Sequence, residues 1–120
     1  MTRHYTTLLD QQRGHYRVIV DKTWEDLHPN DLFDESVTDI QEICKKIDSG
    51  HLDWFMLRVR VTYEEVELAE DYVGGFLYED AEEVLKDGTA EDMISCALDE
   101  ANKAAAVMKQ KFAQLDLAAV

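Results

Sequence analysis

Carboxylates are the side chains in this chain that could most readily do chemistry. Asp and Glu account for 26 of 120 residues. Paired acids can serve as general acid and base, and clustered acids can hold divalent cations. At this density such pairs arise by chance. The nearest approach to a cation site is Glu79, Asp80 and Glu83, in which positions i and i+4 share a helix face. No calcium-loop pattern of alternating Asp and Asn before a Gly accompanies it. The four histidines, His4, His15, His28 and His51, are scattered. Cys44 and Cys96 form no CxxC and read as reduced packing cysteines on buried helical faces. Gly74-Gly75 lacks the Lys-Ser/Thr or dinucleotide-turn spacing of a phosphate-binding loop, and GxSxG, HExxH and HxE…PCxxC are all absent. No catalytic residue, metal or cofactor is assigned, and the expectation is a protein without enzymatic activity.

Charge then becomes the leading functional signal. Against the acids stand 12 Lys and Arg, for a formal net charge of −14. Residues 1–20 carry +2, residues 21–61 carry −5, residues 62–100 carry −13 and residues 101–120 carry +2. The excess is therefore an acidic patch within an otherwise modestly charged chain. It disfavours direct contact with nucleic acid or an anionic membrane, whose binding is driven by cation–phosphate contacts, and favours a cationic partner. A hydrophobic content of 46% excludes a fully disordered acidic tail. No apolar run approaches a membrane span, and no signal-peptide core is evident, so a cytoplasmic location in a bacterial host cell is expected.

The elements that must position these groups read as follows. One domain spans residues 1–120, with 1–13 as a loosely ordered lead-in. Alternation predicts a short strand at 16–21, and Pro29 with Asn30-Asp31 predicts a loop over 23–33. A helix follows at 36–48, with Ser36 and Asp39 as a capping box, an apolar stripe of Val37, Ile40, Cys44 and Ile47, and Gly50 beyond its end. Residues 52–63 form the strongest strand. One face carries Phe55, Leu57, Val59, Val61 and Tyr63, and the other Trp54, Met56, Arg58, Arg60 and Thr62. Glu64-Glu65 is placed as a hairpin turn into Val66–Leu68. Strand character returns over 72–78, where Gly74-Gly75 signals a bulge or the close approach of another group. A short acidic helix at 79–87 precedes a long helix from about Thr89 to Leu115, opened by Thr89 and Asp92 as a second capping box. Its stripe runs Met93, Ile94, Ala97, Leu98, Ala101, Ala104, Ala105, Met108, Phe112 and Leu115. The predicted fold is α+β: a small antiparallel sheet of about three strands, helices packed on one face, and a long C-terminal helix.

Two surfaces carry the functional expectation. The first is acidic: Glu64, Glu65, Glu67, Glu70 and Asp71 on the hairpin, with Glu79, Asp80, Glu82, Glu83, Asp87, Glu91 and Asp92 around the short helix. If the hairpin end packs near that helix, carboxylates repeat over one surface as phosphates do on a duplex. The second is Trp54, Met56, Arg58 and Arg60, an aromatic and basic group of a composition enriched at protein interfaces. The run GHLDWFMLRVRVTYEEVELAEDYVGGFLYED (50–80), followed by its acidic helix, resembles small acidic proteins of phages and plasmids of the anti-defence group, which includes anti-CRISPR and anti-restriction proteins. That resemblance implies a stoichiometric inhibitor acting as a DNA mimic, its partner a positively charged nucleic-acid-binding protein or complex of the host. The alternative is a small dimeric adaptor or regulator, contacting its partner through the Trp54/Met56 face or the alanine-rich helix. Monomer and homodimer are both compatible with the sequence.

Overall fold

The computed structural model describes residues 3–32 and 39–115. Four antiparallel strands follow one another in a meander of order β1-β2-β3-β4: β1 (Thr6–Arg13), β2 (Tyr16–Trp24), β3 (Asp53–Tyr63) and β4 (Val66–Tyr78). Two helices, α1 (Pro29–Leu32) and α2 (Ile40–Asp48), lie between β2 and β3. A 3₁₀ helix, Ala81–Leu85, leads into α3, Thr89–Gln114. The molecule is α+β, as the alternating and helical periodicities require.

β3 is the spine of the sheet. Its register places Val20 opposite Val59 and Val18 opposite Val61 on one side, and Phe76 opposite Phe55 on the other. These residues share a face with the buried stripe of α3: Ala90, Met93, Ile94, Ala97 and Ala101. The alanines let the helix backbone lie close to the sheet, while Phe55, Phe76 and Tyr78 cluster at one end of the layer. Polar ties fasten the helix to the β1–β2 hairpin. The Tyr16 hydroxyl donates to Asn102 Oδ1 at 2.8 Å, and Arg13 pairs with Glu91.

The sheet has four strands, close to the expected number of about three. Residues 6–13, read from sequence as loosely ordered, form the edge strand β1. A bulge between Thr7 and Leu9 breaks its alternation, and only Leu8, Leu9 and Arg13 are half-buried. An edge strand of this kind carries neither the period nor the hydrophobicity of a central one.

Three further boundaries differ. β2 continues to Trp24 because Thr23 is buried and its hydroxyl donates to the His4 carbonyl at 2.7 Å. Pro29, expected to sit in a loop, opens α1, the helical position that tolerates its missing N–H. The described part of α2 starts at Ile40, and Asp39 is its N-cap, accepting from the Glu42 amide. Ser36 and Val37, expected in the cap and stripe of this helix, lie outside the described residues, as does the chain after Leu115. Thr89, expected as the cap of the long helix, is not its cap; Gly88 holds that position. Thr89 is the first residue of α3, with Asp87 Oδ1 accepting from its amide at 2.9 Å. The short acidic helix expected over 79–87 is present as a 3₁₀ helix over Ala81–Leu85, capped by Asp80.

Gly74-Gly75 does receive the close approach its sequence signalled. The β3–β4 register shifts between Phe55 and Leu57, and Gly75 adopts φ +80°. Its amide donates to the Glu25 carboxylate at 2.7 Å, in space that a Cβ at Gly74 would take. The Glu64-Glu65 turn is also present, with both residues at positive φ, +48° and +70°.

Candidate functional site

The expected acidic surface is divided in two by β4. Glu64 and Glu65 form the turn at the start of that strand, and the 3₁₀ helix follows its end. Thirteen strand residues separate them, roughly 40 Å at 3.3 Å per residue. The molecule is correspondingly long, with extents of 66 × 29 × 25 Å.

The larger group surrounds the junction of the 3₁₀ helix and α3. Between residues 79 and 100 stand nine acids, Glu79, Asp80, Glu82, Glu83, Asp87, Glu91, Asp92, Asp99 and Glu100, against Lys86 alone. All nine are exposed. Three of them have local structural work. Asp80 accepts from the Glu82 amide at 2.9 Å. Asp87 accepts from the Tyr78 hydroxyl, which holds its carboxyl below the usual range and pushes the Tyr78 phenol up. Glu91 is lowered by its hydrogen bonds from Arg13. Glu79, Glu82, Glu83, Asp92, Asp99 and Glu100 make no ion pair among the described residues.

The smaller group sits on the β3–β4 hairpin. Glu64, Glu65 and Glu67 are exposed at its tip. Glu70 lies opposite Arg60, and half-buried Asp71 lies opposite Val59. A single duplex-like surface carrying both groups is not what the structure assembles.

Trp54, Met56, Arg58 and Arg60 lie on the sheet face away from α3, and each is half-buried. The Trp54 indole donates to the Leu27 carbonyl at 2.8 Å. Arg3 reaches Trp24 and the Met56 sulfur, its guanidinium 4.7 Å from the Trp24 ring centroid. Arg58 is covered by Tyr5, whose ring centroid is 3.5 Å from the guanidinium carbon.

Beneath these residues is an ionic centre that sequence reasoning missed. Asp21 is only 1% exposed. It accepts from the Thr7 hydroxyl at 3.0 Å, from Arg58 at 2.6 and 3.1 Å, and from Arg60 at 3.1 Å. Burial works against the charge of Arg58, but its hydrogen bonds to Asp21 and Tyr72 and the negative charge of Asp21 together outweigh it and raise its pKa. The alternation of β2 marks Asp21 as outward-facing. Only the register that sets Asp21 beside Arg58 reveals its partner.

The cysteines are less buried than their helical positions suggested. Cys44 is half-buried, with its sulfur 3.6 Å from His28 Nε2, and Cys96 is exposed because it falls off the α3 stripe. Among the described residues no three His, Cys, Asp or Glu side chains converge as a metal-ligand set. Among the described residues, no helix is long and apolar enough to cross a membrane. Comparisons with protein-family models, with curated proteins and with solved structures returned no match to this chain.

Proposed function

We propose that this protein is a non-enzymatic binding module that engages a basic surface of another protein through the carboxylates around the 3₁₀ helix and the start of α3. The observation that carries the reading is the charge balance of residues 79–100: nine exposed acids against one lysine, most of them without an intramolecular cation. Such a surface stores electrostatic repulsion that a cationic partner relieves, and its field accelerates encounter with that partner. The partner class that fits is a nucleic-acid-binding protein of a bacterial host, its Lys/Arg groove occupied in place of phosphate. This is the mode of action of the DNA-mimicking members of the anti-defence group that the sequence resembles. Glu79, Asp80, Glu82, Glu83, Asp87, Glu91 and Asp92 are the contact residues. Glu64, Glu65, Glu67, Glu70 and Asp71 contribute only if the partner spans the length of β4.

The test is affinity capture from a bacterial lysate with the tagged protein, eluted along a salt gradient. The expected result is a nucleic-acid-binding protein that leaves early in the gradient, is displaced by added duplex DNA, and is lost when Glu79, Asp80, Glu82 and Glu83 are all changed to Lys. Retention by that charge-reversed variant, or indifference to both salt and DNA, would overturn the reading.

A further inference from the structure

The end of the molecule opposite the acidic junction has a different character. There α3 continues past the sheet, and an open groove of ≈ 660 Å³ separates its last turns from the two hairpin ends. Tyr16, Tyr63, Val66 and Leu68 line the sheet side, and Ala105, Met108 and Phe112 line the helix side. The apolar stripe of α3 that packs as core up to Ala101 is bare here, with Phe112 67% exposed, and Val66 of β4 facing it is 48% exposed. Met108, Leu115 and Tyr63 are exposed beside them. An apolar patch of this extent, rich in aromatic residues and Met, marks an interface.

We propose that the occupant of this groove is a second copy of the same chain, in a two-fold dimer that seats Phe112 of each copy in the groove of the other. Two observations select that occupant. The patch carries both a projecting ring and a recess lined by Tyr63, Val66 and Ala105, so one surface supplies knob and hole, as a two-fold interface requires. Its rim is also self-complementary in charge. The last part of α3, residues 102–115, bears Lys103, Lys109 and Lys111 with no acid, and the adjacent hairpin tip bears Glu64, Glu65 and Glu67. Across a two-fold axis, the lysines of one copy meet the hairpin glutamates of the other. This is also the end at which two such acidic chains can meet at low electrostatic cost. It is locally balanced, with Lys103, Lys109 and Lys111 beside Glu64, Glu65 and Glu67, while the carboxylates of the 3₁₀ helix lie beyond the other end of β4.

Sedimentation equilibrium of the full chain tests the arrangement. A dimer is expected at concentrations up to about 0.5 mM, and Phe112→Asp should raise its dissociation constant at least ~30-fold. Exposed Phe112 contributes little to the fold, so circular dichroism should be unchanged in that variant. Lys109→Glu with Lys111→Glu should also weaken the dimer, and adding Glu64→Lys with Glu65→Lys should restore it. A wild-type monomer throughout that range would overturn the proposal and leave the groove to a different protein or to the chain's own residues beyond Leu115. A dimer indifferent to Phe112→Asp, or a charge exchange that fails to restore association, would equally overturn it.

Discussion

Asp21 shows how one residue can organise the sheet face that lies away from α3. A carboxylate buried to 1% exposure must have its charge answered locally, and Arg58, Arg60 and Thr7 together supply four hydrogen bonds. Removing the carboxylate leaves Arg58, covered by Tyr5, without its buried counter-charge and takes a hydrogen-bond acceptor from Arg60. Asp21→Ala is therefore expected to destabilise the fold by about 3 kcal/mol in urea denaturation, the range for breaking a buried ion pair from one side. Asp21→Leu combined with Arg58→Met should recover a good part of that loss, because both charges then leave together. Equal destabilisation in the single and double variants would show that packing, and not charge, dominates the site. Nothing in the local pattern of β2 distinguishes Asp21 from a solvent-facing position. The arginines that answer it lie 37 and 39 residues away, and only strand register brings them together. Gly74-Gly75 was legible for the opposite reason, since two successive glycines in a strand are already a local anomaly.

Elements were legible in proportion to the regularity of their burial. β3, buried on every second residue from Phe55 to Val61, follows its pattern in the structure. β1 was missed because a bulge interrupts its alternation and most of it faces solvent. The α3 stripe was recognised along its length, but periodicity cannot tell where the covering sheet stops, so Met108 and Phe112 read as core and are found exposed. The β3–β4 turn is the element whose sequence and geometry disagree most. Its backbone places two glutamates at positive φ, where Asn-Gly is the preferred pair. Glu64→Asn with Glu65→Gly is expected to stabilise the hairpin by about 1 kcal/mol, measured as a shift in the urea midpoint of the Phe112→Asp background, where association does not contribute. An unchanged or lower midpoint would mean that the tip is not strained. If the gain is found, two glutamates stand at a conformational cost, which accords with a role for their charge outside the monomer.

At the scale of the molecule, charge segregation opposes stability. Among the described residues, eight of the nine acids of residues 79–100 make no ion pair, so folding gathers like charges along the 3₁₀ helix and the first half of α3 that the unfolded chain holds further apart. Added salt screens that repulsion, with a Debye length that falls from about 30 Å at 0.01 M to about 8 Å at 0.15 M. Raising sodium chloride over that interval should increase Tm, and Glu82→Gln with Glu83→Gln should reduce the increase. The paired carboxylates work in the other direction as pH falls. Asp10, Asp26, Asp87 and Glu91 are each held below the ordinary values of 3.8 for Asp and 4.5 for Glu, by Arg17, Arg3, Tyr78 and Arg13 respectively. A depressed carboxylate contributes stability that is fully present above its unfolded value and is lost as pH falls through its folded one. These four contributions should therefore persist through neutral pH and disappear progressively below about 4.5. Thermal melts at fixed ionic strength should show Tm falling in that acid window, and Arg13→Gln with Arg17→Gln should flatten the fall. A melt insensitive to salt at neutral pH would show that the acidic junction is not strained by its own charge, and the electrostatic basis for its proposed affinity for a cationic partner would be lost with it.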